Sequence, residues 1–68
     1  MTITQQQRDR MNADHYDLTI LILSLEMARA AAVDAADPAI IATLDRYLDR
    51  YAAAERWLYD IITAAYDG

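Results

Sequence analysis

Cysteine, lysine and phenylalanine are absent from this chain, and glycine and proline occur once each. Without cysteine there can be no disulfide and no thiolate metal ligand, and a cytoplasmic location is the default expectation. The single glycine is the last residue and the single proline is Pro38, so only one place in the chain asks for a turn. Without lysine, the six basic residues are all arginine, set against eleven acids for a net charge of −5. That balance argues against direct nucleic-acid binding, which needs clustered cations to neutralise phosphates. Nine of the eleven acids are aspartates scattered along the chain rather than gathered in a stripe, so mimicry of a nucleic-acid surface is not favoured either. Long apolar runs are missing too. The strongest, Ile20–Leu23, is far short of the ~20 residues of a membrane span. The opening Met1–Gln7 has no apolar core of the kind a signal peptide carries.

What remains is short and apolar. Sixty-eight residues allow one domain, and 56% of them are hydrophobic, many of these alanine. A core built from so few residues seldom supplies more than roughly 3–5 kcal/mol by itself. A partner is therefore expected.

The one interruption in the apolar periodicity is Asp34-Ala35-Ala36-Asp37-Pro38. An aspartate directly before a proline is the pattern of a helix start, with Asp37 as N-cap and Pro38 at the first helical position. The sequence therefore predicts an all-α, two-helix antiparallel hairpin: helix 1 over about 4–33, a turn at 34–37 and helix 2 over about 38–66. Thr4 with Gln7 three residues on is a capping-box pattern, which favours the early start of helix 1. In helix 2, Ile40, Leu44, Tyr47, Tyr51, Ala54, Leu58, Ile61 and Ala65 alternate spacings of four and three and predict its buried seam. Ile41, Leu48, Tyr59 and Ile62 widen it, whereas Asp45, Asp49, Arg56, Asp60 and Asp67 share the wet side. In helix 1 the corresponding seam is Met11, Leu18, Leu21, Leu25, Ala28 and Ala32.

Helix 1 has a second apolar stripe. Tyr16, Ile20, Leu23 and Met27 fall nearly opposite the seam, and a single neighbouring helix can cover only one stripe. These four residues predict an oligomer interface, most simply two hairpins joined by two-fold symmetry into a four-helix-bundle dimer, or a higher oligomer.

Polar residues also fall where apolar ones are expected. Glu55 lies inside the apolar arc of helix 2, and His15, Glu26 and Arg29 lie along one face of helix 1. Together they predict a buried polar layer, with Glu26 and Arg29 close enough to pair directly. A ligand or metal could use such a layer. The spacing argues otherwise, because di-iron bundles use Glu-x-x-His and this chain offers Glu26-x-x-Arg29. No cofactor and no metal are expected. Catalysis is not expected: there is no glycine-rich phosphate loop, and paired carboxylates such as Asp45 and Asp49 sit on a solvated face.

Arg46, Arg50 and Trp57 share one stripe outside the seam of helix 2, with Ala53 and Ala64 leaving room around them. Arginine and tryptophan dominate binding hot spots, so this stripe is the predicted partner-binding site. The competing structural reading packs Trp57 at the core edge beside Ile61. The expected function is a non-catalytic interaction module that self-associates and binds or blocks a protein partner, as a phage- or mobile-element-encoded inhibitor would. The alternatives are a purely structural oligomeric subunit and a ligand- or metal-binding bundle using the Glu/His layer.

Overall fold

A computed structural model of the chain describes residues 4–67, so Met1–Ile3, read above for a leader segment, and Gly68 lie outside it. It consists of two helices that pack against each other, α1 (Gln5–Asp34) and α2 (Pro38–Asp67), with no strand among the described residues.

Each helix start is set by its cap. The Thr4 hydroxyl accepts from the Gln7 backbone N–H at 3.1 Å, and the Thr4 N–H donates to the Gln7 side chain at 2.8 Å. Two of the four N–H groups that a helix start leaves unpaired are satisfied in this way. At α2 the Asp37 carboxylate accepts from the Ile40 N–H at 3.2 Å, while Pro38 has no N–H to satisfy.

The end of α1 is less predictable. The Asp37 N–H reaches back to the Ala32 carbonyl and the Ala36 N–H to the Val33 carbonyl, each at 3.0 Å. This pair of bonds is a Schellman cap, which requires a left-handed residue between helix and turn. Ala36 supplies it at φ 53°, where glycine is the usual occupant. A methyl group in that conformation costs roughly 1–2 kcal/mol. The chain reverses direction without glycine, at the expense of strain.

Between the helices, the inward positions alternate spacings of three and four. In α1 they are Arg8, Met11, His15, Leu18, Ile22, Leu25, Arg29 and Ala32; in α2 they are Ile41, Leu44, Leu48, Tyr51, Glu55, Leu58, Ile62 and Ala65. Both seams are turned relative to the sequence expectation. Leu21 and Ala28 of α1 are exposed, as are Ile40, Tyr47, Ala54 and Tyr59 of α2, and His15, Ile22, Arg29 and Glu55 take inward places. The reason is electrostatic as well as steric. The observed rotation lets His15 meet Glu55 and Arg29 meet Asp45 across the helix pair. Charges half-removed from water need such partners.

Very little is buried. Ala32, beside the turn, is the only described residue that is buried. The hairpin is a rod of 49 × 15 × 13 Å with a radius of gyration of 15.4 Å. A compact domain of this length would have a radius of roughly 11 Å. Its accessible surface is 5298 Å², against about 4300 Å² for a typical folded monomer of this mass.

Candidate functional site

The outward face of α1 carries the first candidate surface. Tyr16, Ile20, Leu23 and Met27 are 65%, 45%, 51% and 74% exposed. Their spacings of four, three and four place them on one stripe, and roughly 150° of rotation separates it from the seam that meets α2. Among the described residues, α2 does not pack over this stripe. The sequence reading that α1 is apolar on two faces describes this geometry directly.

The second surface lies on the outward face of α2. Trp57 is 66% exposed within the single hairpin. It borders a shallow depression shared with Ala52, Ala53, Arg56 and Asp60. Two to three turns earlier, Arg46 and Arg50 flank Tyr47 around a smaller hollow. Arg46 donates to the Thr43 hydroxyl at 3.3 Å, and that hydroxyl donates in turn to the Ala39 carbonyl at 3.0 Å. One arginine is thus tethered to the helix, while no ion pair holds Arg50 among the described residues. Tyr47 stacks on Tyr51, with ring centroids 6.2 Å apart, which stiffens the surface beside the arginines.

The four residues expected to form one polar layer separate into different settings. His15 Nε2 and a Glu55 carboxylate oxygen lie 2.7 Å apart, and the His15 ring rests 5.9 Å from the Tyr59 ring. Their side chains keep 26% and 31% of their exposure, so this contact is half-buried rather than sealed. Arg29 turns to α2 instead of to Glu26. Its Nε donates to one Asp45 oxygen at 2.5 Å and a terminal nitrogen reaches the other at 3.4 Å. The hydrogen bond to Asp45 first, and the Asp45 charge second, raise the Arg29 pKa above its ordinary value. Glu26 is exposed. Within the single hairpin none of the four is buried, and Arg29 pairs with Asp45 rather than with Glu26.

Periodicity alone places Asp45 on the wet face, but the hairpin geometry carries a second signal. In an antiparallel hairpin, residues equally far from the turn face each other. Counting from Ala36, Arg29 and Asp45 lie seven and nine positions away, and His15 and Glu55 twenty-one and nineteen. Complementary polar residues at nearly matched distances from the turn are the pairs that can meet across the hairpin.

The polar pairs collect on one flank of the hairpin. Helical phase places Leu21 of α1 and Tyr47 of α2 on the other, 39% and 44% exposed. Among the described residues, no three His, Cys, Asp or Glu side chains converge in a way that could hold a metal ion. No described helix is long and apolar enough to cross a membrane. In comparisons with known proteins, no family model, curated protein or solved structure matches the chain.

Proposed function

We propose that this chain is a non-catalytic helical interaction protein that self-associates through the outward stripe of α1 and occupies a partner protein with the Arg46/Arg50/Trp57 stripe of α2. The observation that carries the reading is the position of Tyr16, Ile20, Leu23 and Met27. They form a continuous apolar stripe on the one side of α1 that its own hairpin cannot reach. A protein with almost no buried interior draws little stability from its own packing, so association supplies what the hairpin lacks.

The α2 stripe suits a partner that offers carboxylates beside an apolar notch. Two arginines provide directional donors, and the exposed indole provides area that is costly to leave in water. Blocking such a surface on the partner is the simplest action available to a chain of this size.

Two measurements test the reading. Sedimentation velocity at micromolar concentration is expected to report a dimer or higher species; a monomer with a single cooperative unfolding transition would remove the self-association half. Affinity purification from the native host is expected to recover a protein whose retention depends on Trp57. Recovery of the same proteins with Trp57→Ala would remove the partner-binding half.

A further inference from the structure

The α1 stripe is longer than its four large residues, and its order is symmetric. At the same spacing, Tyr16 is preceded by Ala13 and Asp9, and Met27 is followed by Ala30 and Asp34, all exposed. Read from either end, the succession is acid, small residue, large flexible or aromatic residue, aliphatic residue. A helix running the opposite way therefore sets Ile20 against Leu23 of a second copy, Tyr16 against its Met27, and Ala13 against its Ala30. These are the pairings of an antiparallel coiled-coil seam, and a Tyr–Met contact gains from sulfur against the ring.

We propose that a second copy of this chain packs antiparallel on that stripe about a two-fold axis passing between Leu21 and Ile22. This deepens the self-association reading and rests on it. Three observations favour a second copy over any other occupant. A stripe that matches its own reversal is what an isologous two-fold interface requires. Between Asp9 and Asp34 the stripe carries no charge, so two chains of net charge −5 can meet there without placing acids face to face. Along its borders the same register sets Asp17 against Ser24 and Glu26 against Thr19 of the other copy, each acid opposite a hydroxyl. Asp9 and Asp34 meet only at the two ends, where solvent screens them and the contact stops. Finally, the hairpin exposes about 1000 Å² more than a compact monomer of its mass, close to the roughly 800 Å² that each partner contributes to a standard interface.

The geometry also fixes the shape of the product. Because the stripe lies almost opposite the α2-facing seam, the two hairpins form a shallow row, α2–α1–α1–α2, instead of a square four-helix bundle. At 8–10 Å between neighbouring axes, the outer helices stand roughly 25–30 Å apart. Each outer edge then presents one Arg46/Arg50/Trp57 stripe. The dimer is bivalent, and a partner with two copies of its site would be held by both edges.

The absence of cysteine makes the register directly testable. Proteins carrying Tyr16→Cys or Met27→Cys are oxidised separately and as an equimolar mixture, then separated without reductant. The antiparallel register predicts that cross-linked dimer forms mainly in the mixture and joins one protein of each kind. Equal cross-linking of the Tyr16→Cys protein alone means a parallel pair and overturns the proposal. So does a dimer that is dispersed by Tyr47→Glu and unaffected by Leu23→Glu, which would put the second copy on the Leu21/Tyr47 flank. In both cases self-association itself stands. A monomeric wild-type protein, by contrast, overturns the self-association reading and this register together.

Discussion

α1 and α2 are both 30 residues long and meet each other along a single seam, yet their outward faces differ in kind. Behind its seam, α2 carries arginines, aspartates and alanines, with Trp57 as the one large apolar side chain directed straight outward. Behind its own seam, α1 carries Tyr16, Ile20, Leu23 and Met27. Pairing with α1 therefore completes α2, because an amphipathic helix has one stripe to bury. The same pairing leaves α1 half served. In this two-helix protein, the helix with two apolar stripes keeps one of them uncovered, which is the basis of the proposed self-association, while the amphipathic helix turns a largely polar face outward.

The largest expected effect comes from breaking this contrast at its apolar end. Leu23→Glu forces a charge into the proposed self-association contact and is expected to cost roughly 3 kcal/mol or more. Loss of the dimer in sedimentation, or loss of the fold by circular dichroism, checks it. The matching change on α2, Ala53→Glu, adds the same charge to an exposed outward position. It is expected to shift stability by less than about 0.5 kcal/mol in urea titration. Equal sensitivity at the two sites would show that the outward faces are not different in kind.

Trp57→Ala tests the other half of the comparison. It is expected to weaken partner binding by about 2 kcal/mol or more, measured by calorimetry, with the melting temperature almost unchanged. Arg50→Ala is expected to do less, and its effect should shrink with added salt because exposed charges are screened. A fall of several degrees in melting temperature for Trp57→Ala, with binding intact, would make this face structural after all.

A smaller effect belongs to the joint between the helices. Ala36→Gly relieves the left-handed strain of the Schellman cap and is expected to stabilise the hairpin by about 1 kcal/mol in denaturant unfolding. The gain should appear whether or not the protein is assembled, since the joint lies outside both outward stripes.

The smallest effects separate the two glutamates. Glu55→Gln weakens the contact to His15 and is expected to lower stability by about 1 kcal/mol, the usual worth of one half-exposed hydrogen bond. Glu26→Gln, on an exposed α1 position, is expected to change stability by less than about 0.5 kcal/mol. Thermal melts of the two variants side by side check this. A larger loss for Glu26→Gln would place that residue in an interface.

By itself, the sequence determined the number of helices and where each begins. Thr4 with Gln7, and Asp37 with Pro38, specify their caps through contacts spanning three residues, so no tertiary information is needed to read them. It also determined that α1 has two apolar stripes, because 100° per residue is a property of the helix alone. The packing of one helix on the other decided the rest. Which side of a broad apolar arc turns inward depends on the opposite helix, and two adjacent arcs, Leu21 or Ile22, Tyr47 or Leu48, read almost alike along the chain. The observed rotation goes with its cross-helix partners: Arg29 meets Asp45 rather than its neighbour Glu26, and His15 meets Glu55. That rotation carried Leu21 and Tyr47 out to the surface and left Trp57 facing solvent. Periodicity records which residues share a face of one helix. Only the pair of helices settles which face is shared between them.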